Sequence, residues 1–341
     1  MNGKVIHELD ELAALAAALP PEVTSRELCR IADGIGELPI LAFFTGNPDP
    51  EVPAVGFVGG VHGLERIGSE VVLSFLRSVI GRLRWDITLH RLLEQLRLVF
   101  IPVLNPGGMR RRTRANPNGV DLMRNSPVDA AQPTPFLVGG HRRGPSLPWY
   151  RGPASAAMED ESLALCRVVS EELLPHPFSM VVDCHSGFGL HDRIWFPYAH
   201  TPAPIPHLAE MHALLEILDQ TQSHHRYVFE PQSSHYLAHG DLWDHLYLQS
   251  LADPRRVFLP LTLEMGSWLW VKKNPRQLFS RYGMFNPLIE HRRQRVLRRH
   301  LAWLEFVCRA ASGWRMWLPE GAAREEHRRR AIDRWYGGVA A

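Results

Sequence analysis

Val55-Gly56-Phe57-Val58-Gly59-Gly60-Val61-His62-Gly63-Leu64-Glu65 is the stretch from which the fold is read. Apolar, β-branched residues punctuated by glycine predict a buried strand running into a tight turn. Beyond it, Ile67, Val71, Val72, Phe75, Leu76 and Val79 recur at helical spacing, predicting an amphipathic helix over residues 66–83. The turn carries an imidazole and a carboxylate, His62 and Glu65. Zinc accepts both donor types, and strand ends are where open α/β sheets place their ligands. Alone the motif is weak. In a chain with 18 histidines about one His-x-x-Glu arises by chance, and a second, His207 with Glu210, reads as the solvated face of a helix.

Working outward, the same construction recurs. Residues 178–184 form a second apolar strand ending at His185-Ser186-Gly187, and residues 257–263 form a third that delivers Glu264 before Met265-Gly266-Ser267. Residues 96–104 are a fourth apolar run, closed by the turn Asn105-Pro106-Gly107-Gly108. Buried strands alternating with amphipathic helices predict an α/β fold: one domain with a mixed, mostly parallel central sheet and helices on both faces. Residues 27–32 and 38–45 read as a strand pair joined by a turn, 194–198 and 226–230 as further strands, and 206–220 and 241–250 as helices. A long basic amphipathic helix over 285–314 is expected on the outside of the sheet. The Pro- and Gly-rich residues 126–155 are either a site rim or a plain surface insertion.

Composition narrows the function. The 341 residues carry 38 basic and 36 acidic side chains, a net charge of +2, so no bulk field draws nucleic acid. The basic runs from Arg110 to Arg112 and from Arg292 to Arg299 read as solvated faces, with binding of phosphate or an anionic surface as the alternative. No apolar run approaches membrane-spanning length, and residues 1–20 lack the pattern of a secretory signal. Four scattered cysteines without Cys-x-x-Cys spacing fit a reducing cytoplasm, with Cys184 a buried structural thiol. Strand ends therefore present His62 with Glu65, His185 and Glu264. Two histidines and a carboxylate suit a catalytic zinc with one position open for water, and a further carboxylate is wanted as proton carrier.

These strand ends, with Asn105-Pro106-Gly107-Gly108, Gly119-Val120-Asp121-Leu122-Met123-Arg124-Asn125, Gly152-Pro153-Ala154-Ser155 before a helix carrying Glu159, Asp183-Cys184-His185-Ser186-Gly187 and Thr262-Leu263-Glu264-Met265-Gly266, resemble the zinc carboxypeptidase superfamily in order and spacing over about residues 50–270. The resemblance implies that His62, Glu65 and His185 bind one zinc per chain and that Glu264 is the general base and acid. It implies Asp121 as the hydrogen-bond partner of His62, with a capping aspartate as the alternative, and Arg114 as the oxyanion donor. Arg124 would clamp a substrate carboxylate and Tyr236 would close over it, with His235 and His239 as rim groups. Where the family reads Asp-x-Asn-Arg this chain has Met123, which lacks the amide donor, so Arg124 acts alone, Asn125 substitutes, or the substrate is not an ordinary peptide C-terminus. Trp243 is a candidate specificity position. The expected activity is carboxypeptidase-like amide hydrolysis of a peptide, with deacylation of a small acyl-amino acid as the alternative and an inactive carboxylate-binding relative as a third reading.

Overall fold

The computed structural model describes residues 6–337. Its frame is an eight-stranded sheet of β1 (Val23–Ala32), β2 (Glu37–Gly46), β3 (Ala54–Gly59), β4 (Arg97–Ile101), β5 (Phe178–Ser186), β6 (Arg193–Phe196), β7 (Val228–Pro231) and β8 (Val257–Met265), in the order β1-β2-β4-β3-β5-β8-β6-β7. The four central strands, β4, β3, β5 and β8, are mutually parallel, whereas β1, β2 and β6 join by antiparallel pairing. Every residue of β3 and β5 is buried. That is why both read as continuous apolar runs rather than alternating ones.

Helices cover the sheet. Arg66–Arg82 buries Ile67, Val71, Val72, Phe75, Leu76 and Val79, the face expected from the sequence. Phe75 meets Phe57 of β3 edge-on, with ring centroids 5.0 Å apart. Such aromatic contacts add about 0.5–1.5 kcal/mol to simple burial. Two expectations need correction near the C-terminus. The helix expected over 285–314 begins only at Glu290, because Pro287 cannot continue the short helix Arg281–Phe285. A further helix, Gly321–Trp335, packs on Leu208–Thr221. It covers one member of the pair read as a solvated face, for Glu210 is buried and accepts from Arg324 Nε at 2.6 Å; the other, His207, meets Tyr247 Oη of the helix Leu242–Ser250 at 2.8 Å.

Parallel pairing brings the C-terminal ends of β3, β5 and β8 to one edge. Gly59 lies opposite Cys184, and His185 opposite Glu264. Gly63 allows the turn after β3 to sit against the turn after β4, since a Cβ there would lie 2.0 Å from the Gly108 carbonyl carbon.

Candidate metal centre

Three side chains converge where β3 and β5 end. His62 Nδ1 lies 3.0 Å from Glu65 Oε1, His185 Nδ1 lies 3.1 Å from Glu65 Oε2, and the two Nδ1 atoms are 3.1 Å apart. All three residues are buried, and together they form a set able to hold one metal ion. The far ring nitrogens are occupied: His62 Nε2 faces Asp121 Oδ1 at 3.0 Å and His185 Nε2 faces Asp183 Oδ2 at 2.7 Å. A carboxylate behind each ring fixes the proton on Nε2 and turns a lone pair on Nδ1 inward. Electron-rich atoms packed this closely away from water require a shared proton or a cation. Two imidazoles and one carboxylate match the donor set of a catalytic zinc.

The charges follow that geometry. Burial raises the cost of ionising Glu65, but His62 and His185 outweigh it and hold the carboxylate well below its ordinary range. Burial likewise opposes a charge on His185, and Asp183 and Glu65 outweigh it, pushing the imidazole well above 6.5. Glu264 moves the other way. Burial, reinforced by the charge of Glu65, raises it to about 8, while Phe188 N–H donates to its Oε1 at 3.0 Å. A carboxyl group poised near neutrality beside a metal set can accept a proton and return it.

Arg114 and Asp121 bind each other. Arg114 Nε donates to Asp121 Oδ2 at 2.7 Å, and its Nη1 lies 3.4 Å from Glu65 Oε1, beside the metal donors. Asp121 is fully buried, faces His62 Nε2 and also caps the short helix Leu122–Arg124 by accepting from Met123 N, so one carboxylate makes the contacts of both sequence readings. Its burial is outweighed by Arg114 and His62, and its carboxyl lies well below the usual range.

His62, Glu65, His185 and Arg114 line a cavity of about 680 Å³ together with Met123, Arg124, Tyr236 and Glu264. Arg124 Nη2 donates to Tyr236 Oη at 3.3 Å, and Nη1 to the Met123 carbonyl at 3.1 Å. Residues from the irregular segment, Val138 and Pro145 to Trp149, form part of the wall, in keeping with a rim. Gly240 holds the Tyr236 loop against this region: it has φ +74°, and a Cβ would lie 1.9 Å from the Arg124 carbonyl oxygen. His235 and His239 stand outside the metal set. His235 pairs with Glu230 at 2.7 Å, and His239 Nδ1 accepts from Ala130 N.

Two assignments are displaced. Asn125 does not line the cavity; its Oδ1 accepts from Glu159 N at 2.7 Å and its Nδ2 donates to the Arg151 carbonyl at 3.1 Å, so its amide ties loops together. Trp243 is buried and donates from Nε1 to Asp183 Oδ2 at 2.8 Å, which makes it a brace rather than a pocket wall. The missed residue is Asp183 itself. Its signal was available, because residues two apart on a strand share a face, and Asp183 precedes His185 by two on β5.

A sequence profile described as zinc carboxypeptidase matches residues 28–265, reaching further toward the N-terminus than the motifs alone. The chain belongs to that family. Carboxypeptidase SOL1 of Arabidopsis thaliana is 36% identical over 75 residues, 22% of this chain and 15% of that protein. Carboxypeptidase E of Caenorhabditis elegans is 30% identical over 124 residues, 31% of this chain and 26% of that one. The matched segments thus span well under a third of these relatives. Among solved structures, thrombin activatable fibrinolysis inhibitor superposes with a TM-score of 0.66 at 16% identity, covering 89% of this chain and 74% of that one. Carboxypeptidase A from Helicoverpa armigera gives 0.64 at 19% identity, covering 91% and 74%. At these identities the likeness establishes the fold.

Proposed function

We propose that this protein is a zinc-dependent, carboxypeptidase-like hydrolase that cleaves an amide bond in a peptide-like substrate. The observation that carries the reading is the convergence of His62, Glu65 and His185 at 3.0–3.1 Å with both imidazoles backed by carboxylates. Zinc, when held by these three residues, supplies a water of lowered pKa and polarises the scissile carbonyl. Glu264 takes the proton of the attacking water and passes it to the leaving nitrogen. Arg114 faces the same space and donates to the oxyanion that develops on the carbonyl oxygen, while Asp121 holds its guanidinium in place. Arg124 grips a substrate carboxylate with its planar fork, and Tyr236, already in contact with it, covers the bound end. Elemental analysis with kinetics tests this: Glu264→Gln should keep one zinc per chain and lose about 10²–10⁴ in kcat. Near wild-type turnover in that variant would remove the mechanism.

A specific observation supports a second reading. Met123 lines the cavity where an amide donor would help hold a terminal carboxylate, and Asn125 is committed elsewhere. Deacylation of a small acyl-amino acid needs less of that grip. Release of an acyl group from such compounds, without release of C-terminal residues from free peptides, would decide for it.

A further inference from the structure

A second hollow, of about 370 Å³, lies apart from the metal donors and collects cations from three places. Arg226 comes from the segment before β7 and Lys273 from the end of the helix Trp268–Lys273. Arg292, Arg295 and Arg299 come from successive turns on one face of the helix Glu290–Ser312. Against these five stands one carboxylate, Asp192, which is paired with Arg299. Among the described residues, Arg226, Lys273, Arg292 and Arg295 have no carboxylate partner. Arg293 shows that this is not the habit of the helix, for it pairs with both Glu70 and Glu290.

Like charges converging on a hollow repel one another, and a shared anion relieves that repulsion. Guanidinium forks and an ammonium group together match phosphate oxygens. The volume is that of a small-molecule site, and the buried Trp270 closes one wall with apolar surface. We propose that this pocket binds a small molecule carrying at least two phosphate groups. Its wall includes Gly266, two residues beyond Glu264, whose N–H is held by Asp192 Oδ1 at 3.0 Å. The site is independent of the hydrolytic reading and stands or falls separately.

Calorimetric titration of the zinc-loaded full chain with inorganic pyrophosphate, with zinc content checked before and after, tests it. Saturable binding of one pyrophosphate per chain is expected. Affinity should fall by at least about tenfold in Lys273→Ala/Arg295→Ala. It should fall by less than about threefold in Arg298→Ala/Arg315→Ala, which removes equal charge outside the pocket. All four side chains belong to exposed residues, so both variants are expected to fold, and matched melting curves verify this. Absence of saturable binding at millimolar pyrophosphate would overturn the proposal. So would equal losses in the two pairs, which would mean bulk charge, or unchanged affinity in the pocket pair, which would place the anion among Arg112, Arg114 and Arg124.

Discussion

Replacing Asp183 by asparagine probes the metal centre without touching a metal donor. Asp183 Oδ2 accepts from His185 Nε2 at 2.7 Å and from Trp243 Nε1 at 2.8 Å, in a fully buried setting. Asparagine keeps the shape and one acceptor but loses the charge, so His185 Nε2–H faces a weaker partner and its Nδ1 becomes a poorer donor. Loss of a carboxylate behind a metal-bound histidine weakens the metal by about 10- to 100-fold, or about 1.4–2.7 kcal/mol. Competition for zinc against a chromophoric chelator at fixed pH measures this directly. Asp121→Asn should weaken zinc similarly through His62, and should also loosen Arg114, so its kcat falls further than its zinc occupancy explains. Wild-type zinc affinity in Asp183→Asn, with melting of the metal-free forms matched, would refute the idea that these carboxylates tune the imidazoles.

Arg114→Ala should retain zinc and lose about 10²–10³ in kcat at saturating metal, because it removes an oxyanion donor; steady-state kinetics reads this. Arg124→Ala should raise KM for a substrate with a free carboxylate and leave a carboxyl-blocked analogue nearly unaffected, whereas Tyr236→Phe, which removes only a 3.3 Å contact, should change KM by less than about tenfold. Folding stability should depend on His300, which burial holds down at about 4. The unfolded chain takes up this proton near 6.5, so between pH 6.5 and 4 the unfolded state binds more protons and acidification costs stability, by at most about 3 to 4 kcal/mol. Urea unfolding of metal-free wild type and His300→Gln at pH 7 and pH 5 should show a steeper loss in wild type; equal losses would show that His300 is not the group responsible.

The three strand ends of the candidate site were legible because β3, β5 and β8 are buried on both faces, which writes an uninterrupted apolar run followed by a glycine turn into the sequence. Arg114, Arg124 and Asp121 could be placed only through the resemblance, since a loop of arginines does not say which one turns inward. Packing decided the rest. Asn125 looked free because the sequence hides that the Glu159 N–H and the Arg151 carbonyl lie at either end of its amide. The helix Gly321–Trp335 went unread because charged residues dominate it and no apolar stripe recurs along it; Ala331 is its one residue buried outright among those described. The brace from Trp243 to Asp183 spans sixty residues and exists only once the sheet is assembled.

On the proposed zinc reading, the parallel register of β3 and β5 also sets when the chain can capture its metal. His62 and Glu65 are neighbours in the sequence, but His185 lies 123 residues further on and reaches them only after β5 docks beside β3. An unfolded or half-synthesised chain therefore offers zinc a two-pronged, weakly held grip, and full retention arrives with the long-range crossover that closes the sheet. Loading by this site would then be a report on completed folding: chains that stall before β5 has docked should lose the ion to a competing chelator, and those that finish should keep it.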